Sequence, residues 1–158
     1  MSNVLTAEDR LEIVQTTLLT CHYADTHDWE KIANLVTDPF QLDYTELLGG
    51  SPQVLTPKQL VENWHLELGG LDTSQHLLTS HIIEPNEDGA ICTANLHATH
   101  VLANSQGDSK YVVAGRYIFA MRRTSAGWRV ASQKMHVIYT SGNPGILQLG
   151  EARIKAKK

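Results

Sequence analysis

The even positions from Ala90 to Leu102 read Ala90, Cys92, Ala94, Leu96, Ala98, His100 and Leu102, while the odd ones include Thr93, Asn95, His97 and Thr99. Successive side chains of a strand point to opposite faces, so this alternation aims the His100 imidazole into an apolar interior and His97 toward solvent. An imidazole in a pocket is a candidate acid or base near neutral pH. His76 lies on another predicted strand, and Tyr23, Asp25, Asp43 and Tyr44 flank helical segments upstream. Titratable groups gathered in an apolar cavity are what a small proton-transfer site requires. His81 and His97 are expected at the surface. His97 and His100 do not make a metal pair, because three residues apart on a strand they face opposite ways and three convergent ligands are needed. No metal is expected.

The elements that must position these groups follow from periodicity and caps. Thr6 precedes a long first helix in which Leu11, Val14, Leu18 and Cys21 recur at helical spacing, with acidic residues in its first turn. Asp28 can cap a second helix whose stripe is Trp29, Ile32, Leu35 and Val36, ending before Asp38-Pro39. Phe40 to Tyr44 reads as a short strand. Thr56-Pro57-Lys58-Gln59 combines an N-cap, a first-turn proline and a capping-box glutamine, which starts a third helix running to about Leu68 and closed by Gly69-Gly70. Strands follow at Gln75 to Glu84, Ala90 to Leu102, Lys110 to Arg123 and Trp128 to Tyr139, separated by turn signals. Ile146 to Lys158 is expected to form a helical flap that frays. Trp29, Trp64 and Trp128 are expected core anchors, and Arg116 an outer-face or interface residue opposite Val113, Tyr117 and Phe119. Helices first and a long meander afterwards predict an α+β domain.

At 158 residues the chain is expected to be one domain, with a core at about 6–140 and a tail at 141–158. Thirteen Lys and Arg against seventeen Asp and Glu give a net charge of −4, and the one cationic cluster is Arg153 to Lys158, so nucleic acid is not an expected partner. No apolar run approaches the roughly 18 residues of a membrane span, and Met1 to Thr6 lacks the charge and hydrophobic stretch of a secretion signal. A soluble, cytoplasmic protein without a membrane partner is expected. Cys21 and Cys92 lack the spacing of a metal or redox motif and are expected as buried free thiols.

Asp25-Thr26-His27-Asp28-Trp29, Leu42-Asp43-Tyr44, Ser74-Gln75-His76, His97-Ala98-Thr99-His100 and Ala126-Gly127-Trp128-Arg129, in that order and spacing, resemble scytalone dehydratase and the wider SnoaL-like group. These belong to the nuclear-transport-factor-two-like superfamily of cone-shaped α+β barrels, with ketosteroid isomerase and limonene epoxide hydrolase. The resemblance spans about residues 9–140. It implies a cone-shaped, curved, mostly antiparallel sheet with three N-terminal helices packed on its concave face, and a cofactor-free pocket at the wide mouth. By matching positions it puts proton transfer on His76, His100 and Asp25, and the hold on the substrate carbonyl on Tyr44. A partner tyrosine of that family is replaced by Ala24, with Tyr23 adjacent. The strand that supplies polar substrate contacts there carries Gly115 and Tyr117 here, which points to a different substrate; Tyr23, Asp43, Tyr117 and Phe119 are the candidate substrate contacts.

Asp43 opens a competing possibility, because a carboxylate on the corresponding strand is the general base of ketosteroid isomerase and the SnoaL-like cyclases. Leu42 and Tyr44 share one face of the strand and Asp43 takes the other, so both cannot line the pocket unless the strand is bulged. The chemistry shared by all these readings is removal of a proton beside a carbonyl, with a tyrosine hydroxyl on the enolate oxygen. The leading expectation is a dehydratase of a hydroxylated cyclic ketone, polyketide-like or steroid-like. An isomerase or cyclase using Asp43 is the alternative, and a non-catalytic module that binds a hydrophobic small molecule is another. A homodimer or homotrimer is expected.

Overall fold

The computed structural model describes residues 4–157. Residues 1–3, where the reading for a leader begins, and Lys158, the last residue of the cationic tail, lie outside them. The chain runs α1 (Ala7–Asp25), α2 (Trp29–Ala33), β1 (Val36–Asp43), α3 (Thr45–Leu48), β2 (Gln53–Leu55), α4 (Pro57–Leu68), β3 (Thr73–Asn86), β4 (Gly89–Val101), β5 (Lys110–Thr124), β6 (Gly127–Gly142) and α5 (Gly145–Lys155). The strands form one curved, unclosed sheet in the order β2-β1-β6-β5-β4-β3, antiparallel except where β1 runs parallel to β6. Among the described residues no helix is long and apolar enough to cross a membrane.

Four helical segments, not three, precede the meander, because the chain turns into α3 directly after β1. The second helix is shorter than its stripe predicts. Leu35 and Val36 leave it to join the sheet, where the Leu35 carbonyl accepts from Val130 N–H and Val36 pairs with Val130. Asp28 occupies the cap position of α2 without capping it: its carboxylate accepts from Thr26 Oγ1 and Lys31 Nζ. The Thr56–Gln59 capping box forms in both directions at α4. An equivalent box, Thr6 with Asp9, starts α1.

The face that α1 buries is not the leucine stripe. Leu11 is 70% exposed, whereas Ile13, Thr16, Thr17, Thr20, Cys21 and Ala24 face the sheet. Thr17 and Thr20 donate their hydroxyls to the carbonyls of Val14 and Thr17, so they enter the core with no unsatisfied polar atom, and their small size lets the helix lie close. β4 alternates without a break, and every even position from Ala90 to His100 is buried. β3 does not. Its partly buried side chains are even-numbered at Ser74, His76 and Leu78, then odd at His81 and Ile83, because a bulge between Thr79 and Ile82, with Ser80 at φ 56°, reverses the faces. His81, expected at the surface, is therefore half-buried and hydrogen-bonded to Thr17.

Candidate active site

A cavity of about 240 Å³ lies between the sheet and the helices. The sheet contributes His76, Ala98, His100, Val113, Tyr117, Gln133 and Met135; α1 contributes Thr20, Cys21 and Ala24, and α4 contributes Trp64, Glu67 and Leu68. Tyr44 with Leu47 and Leu48 of α3, and Leu147, Gln148 and Glu151 of α5, complete the wall. The predicted C-terminal flap thus forms as α5 and covers the pocket. It is locked on by a backbone approach of Gly70 to Gly150, so close that a Cβ on Gly70 would lie 1.9 Å from the Gly150 carbonyl oxygen.

Asp25, the last residue of α1, holds one corner. Its Oδ1 accepts from His76 Nδ1 at 2.7 Å and from Ser74 Oγ at 2.8 Å, and its Oδ2 accepts from the His76 backbone N–H at 2.8 Å. Burial pushes the acidity of Asp25 the other way, yet the bonds and charge of His76, with Ser74, outweigh it and keep the carboxyl below its usual range. An ionised carboxylate only accepts, so His76 carries its ring proton on Nδ1, and in the neutral ring Nε2 is bare. The two imidazoles meet edge-on at 5.5 Å between centroids.

His100 is 6% exposed and approaches the Tyr111 carbonyl with Nδ1 at 3.2 Å. A carbonyl only accepts, so His100 too is the Nδ1–H tautomer with a bare Nε2. Burial, and then the neighbouring His76, lower its pKa to about 4. The expectation of a base poised near neutrality therefore fails for His100, whose ring is uncharged at pH 7. His76, buttressed by a carboxylate, is the better placed acceptor.

The third polar group is a chain of hydrogen bonds. Gln133 Nε2 donates to Tyr44 Oη at 2.6 Å, and Tyr44 donates to Tyr117 Oη at 3.2 Å. The hydrogen of Tyr117 is left unspent. Burial, followed by the other tyrosine for Tyr44 and by Cys21 for Tyr117, raises both phenols well above the ordinary range, so both stay protonated.

Three predicted contacts lie elsewhere. Ala24 lines the cavity one residue after Tyr23, and the helical turn between them carries Tyr23 away from the wall, where Lys31 Nζ sits 5.2 Å from its ring centroid. Asp43 ends β1 outside the lining; its carboxylate accepts from the N–H and Oγ1 of Thr45, bonds that with Lys134 hold its pKa low. Of the two alternatives at this strand end, Tyr44 faces the cavity. Phe119 is fully buried beneath Tyr117, edge-on at 5.5 Å, and buttresses that ring without reaching the space above it.

Glu67 and Gln133 escaped the sequence reading. Glu67 had a signal: α4 buries Leu60, Trp64 and Leu68, and position 67 falls on the same stripe, where an apolar residue is expected. Gln133 had a weaker signal, alternation with the buried Met135 alone, because Val130 is three residues away and only a register shift of β6 brings the two to one side.

A SnoaL-like domain model matches residues 5–134. The comparison with curated proteins returned no match. Among solved structures, the Kfla4162 protein from Kribbella flavida is 25% identical, with 85% of this chain and 93% of that one covered at a TM-score of 0.81. A provisionally assigned aromatic ring hydroxylase from Novosphingobium aromaticivorans is 26% identical, covering 89% and 96% at 0.76. A type 2 hexachlorocyclohexane dehydrochlorinase, LinA, is 14% identical, covering 89% and 95% at 0.72, a likeness of fold.

Proposed function

We propose, since the chain belongs to the SnoaL-like family, that it is a cofactor-free lyase, a dehydratase acting on a hydroxylated cyclic ketone. The observation that carries this reading is the Asp25–His76 pair, which brings a bare imidazole nitrogen into an apolar cavity beside a second, neutral imidazole. His76 Nε2 takes the proton from the carbon beside the carbonyl, and the electron pair moves to the carbonyl oxygen, which meets the unspent O–H of Tyr117. As the carbonyl re-forms, the C–O bond at the β-carbon breaks. The departing hydroxyl takes the proton from the His76 imidazolium and leaves as water, while His100 Nε2 accepts a hydrogen bond from that hydroxyl and fixes its position. Asp25 orients His76 and stabilises its charged intermediate.

The test uses a panel of β-hydroxylated cyclic ketones, polyketide-like and steroid-like, in deuterated water, followed by NMR. The expected result is loss of water, with deuterium entering beside the carbonyl of recovered substrate as the enolate returns to ketone with a solvent deuteron carried by His76, and both lost in His76→Ala with the fold intact by circular dichroism. Tight binding of panel members with neither exchange nor water loss would overturn the lyase reading in favour of a binding module. Double-bond migration that survives His76→Ala and fails in Asp43→Asn would overturn it in favour of an isomerase.

A further inference from the structure

We propose that Glu67 selects the ligand of this cavity, accepting a hydrogen bond from a hydroxyl or ammonium group on it and turning away carboxylates and phosphates. The inference rests on the reading above only in taking the cavity to be the ligand site. Glu67 projects from the helical wall, opposite the sheet that carries His76 and His100. It lies where the cavity adjoins a second, more polar cleft, since both are lined by Tyr44, Leu48, Glu67 and Glu151.

Among the described residues no charge answers it. Among the described residues no side chain donates to Glu67, and no Lys or Arg lines the cavity. Glu151 of α5 adds a like charge, its own partner being Lys155. Of the other titratable groups that line this space, burial keeps the Cys21 thiol, Tyr44 and Tyr117 protonated and His100 neutral, and His76 is bonded through Nδ1 to the Asp25 carboxylate, which lies behind the lining. Two carboxylates, Glu67 and Glu151, with no Lys or Arg in the lining, favour a ligand bearing a donor or a positive charge at this end of the cavity and disfavour an anion. Two atoms of residues that line the cavity, one on α4 and one on the sheet opposite, independently ask for a polar ligand. Gln133 Oε1 and Trp64 Nε1, on side chains 2% and 5% exposed, have no hydrogen-bond partner. Buried polar atoms are normally satisfied, and a ligand with an oxygen or nitrogen function would satisfy these.

Three probes of one shape separate the cases: naphthol, neutral; naphthylmethylammonium, cationic; and naphthoate, anionic. Binding is measured by calorimetry at about pH 5.5 and about pH 8.5, either side of the value of about 7 to which burial and then Glu151 push Glu67. The imidazole NMR signals of His76 and His100 report occupancy. Naphthol and the ammonium are expected to bind at least about ten-fold more tightly than naphthoate at the higher pH, the gap narrowing at the lower one. In Glu67→Gln the gap is expected to shrink to about three-fold or less and to lose most of its pH dependence. Naphthoate shifting both histidine signals and binding as well as naphthol would overturn the selection and leave the cavity as ligand site. Failure of all three probes to shift those signals would overturn both. A stronger affinity for the ammonium than for naphthol, lost in Glu67→Gln, would identify the donor as a cation; equal affinities would identify it as a hydroxyl.

Discussion

A carboxyl buried without a partner costs stability, and Glu67→Gln measures how much. Burial and Glu151 raise its pKa from 4.5 to about 7, which at ~1.4 kcal/mol per tenfold corresponds to ~3 kcal/mol, trimmed to ~2–3 kcal/mol by solvent screening at the cavity mouth. Below about pH 4.5 the group is protonated in folded and unfolded chains alike and costs nothing. Between about 4.5 and 7 the unfolded chain ionises while the folded one does not, so stability falls as pH rises, and above about 7 the penalty is complete. Glutamine keeps the size and removes the charge. The variant should match the wild type near pH 4.5 and exceed it by ~2–3 kcal/mol near pH 8, a rise in Tm of roughly 5–10 °C for a chain of this length. Urea denaturation at both pH values reads the difference directly. Parallel pH profiles for the two proteins would refute the reasoning, since they require that the carboxylate is solvated or paired in the folded state.

His76→Ala should lower kcat by ~10²–10⁴-fold, and adding Asp25→Asn should cost little more, because the two act as a unit; additive losses in single-turnover kinetics would separate them. His100→Ala should lower kcat without moving the pH profile above about pH 5, as its ring, with a pKa of about 4, is already neutral there. A profile limb that vanishes near neutrality in this variant would show that His100 titrates in the working range. Tyr117→Phe should cost more than Tyr44→Phe, because only Tyr117 has a hydrogen left to donate; the opposite order would mean that Gln133 turns its carbonyl to Tyr44 and the chain of bonds runs the other way. Leu77, Ile138 and Tyr139 are exposed on the sheet, and light scattering should give a dimer or trimer mass that falls when Leu77 and Ile138 are replaced by Asp; a monomer in the wild type refutes the assembly.

The parts of the fold legible in the sequence were those in which local pattern and tertiary demand agree. β4 presents a period of two to a core on one side, and its alternation placed His100 inward and His97 outward without further information. The capping box at Thr56 is a contact within four residues, and it fixed the start of α4. α1 misled because its leucines advertise one face and its hydroxyls hide another. A threonine satisfied by its own helix counts as small and apolar, which no hydropathy scale records. The bulge at Ser80 was invisible for a related reason: it is a backbone event that exchanges the faces of β3, and alternation tested across it averages to none. His76 was reached only through the family resemblance.

The geometry of the site is set by strand register more than by the side chains themselves. His100 and Tyr111 are opposed in the β4–β5 ladder, and that pairing is what offers the Tyr111 carbonyl to His100 Nδ1 and so leaves Nε2 bare toward the cavity. Ser74 is opposed to His100 in the β3–β4 ladder, and with His76 it presents to Asp25 the donors that seat the carboxylate. A slip of one residue in either ladder would turn the imidazoles to the outer face and at the same time strip them of the groups that choose their tautomers. The same interlock binds α1 to the edge of the sheet, because Asp25 is at once the end of the helix and the acceptor of three hydrogen bonds from β3. Folding the sheet in register and arming the base are therefore one event, and a variant that weakens Asp25 should loosen the junction of α1 with β3 as well as slow the reaction.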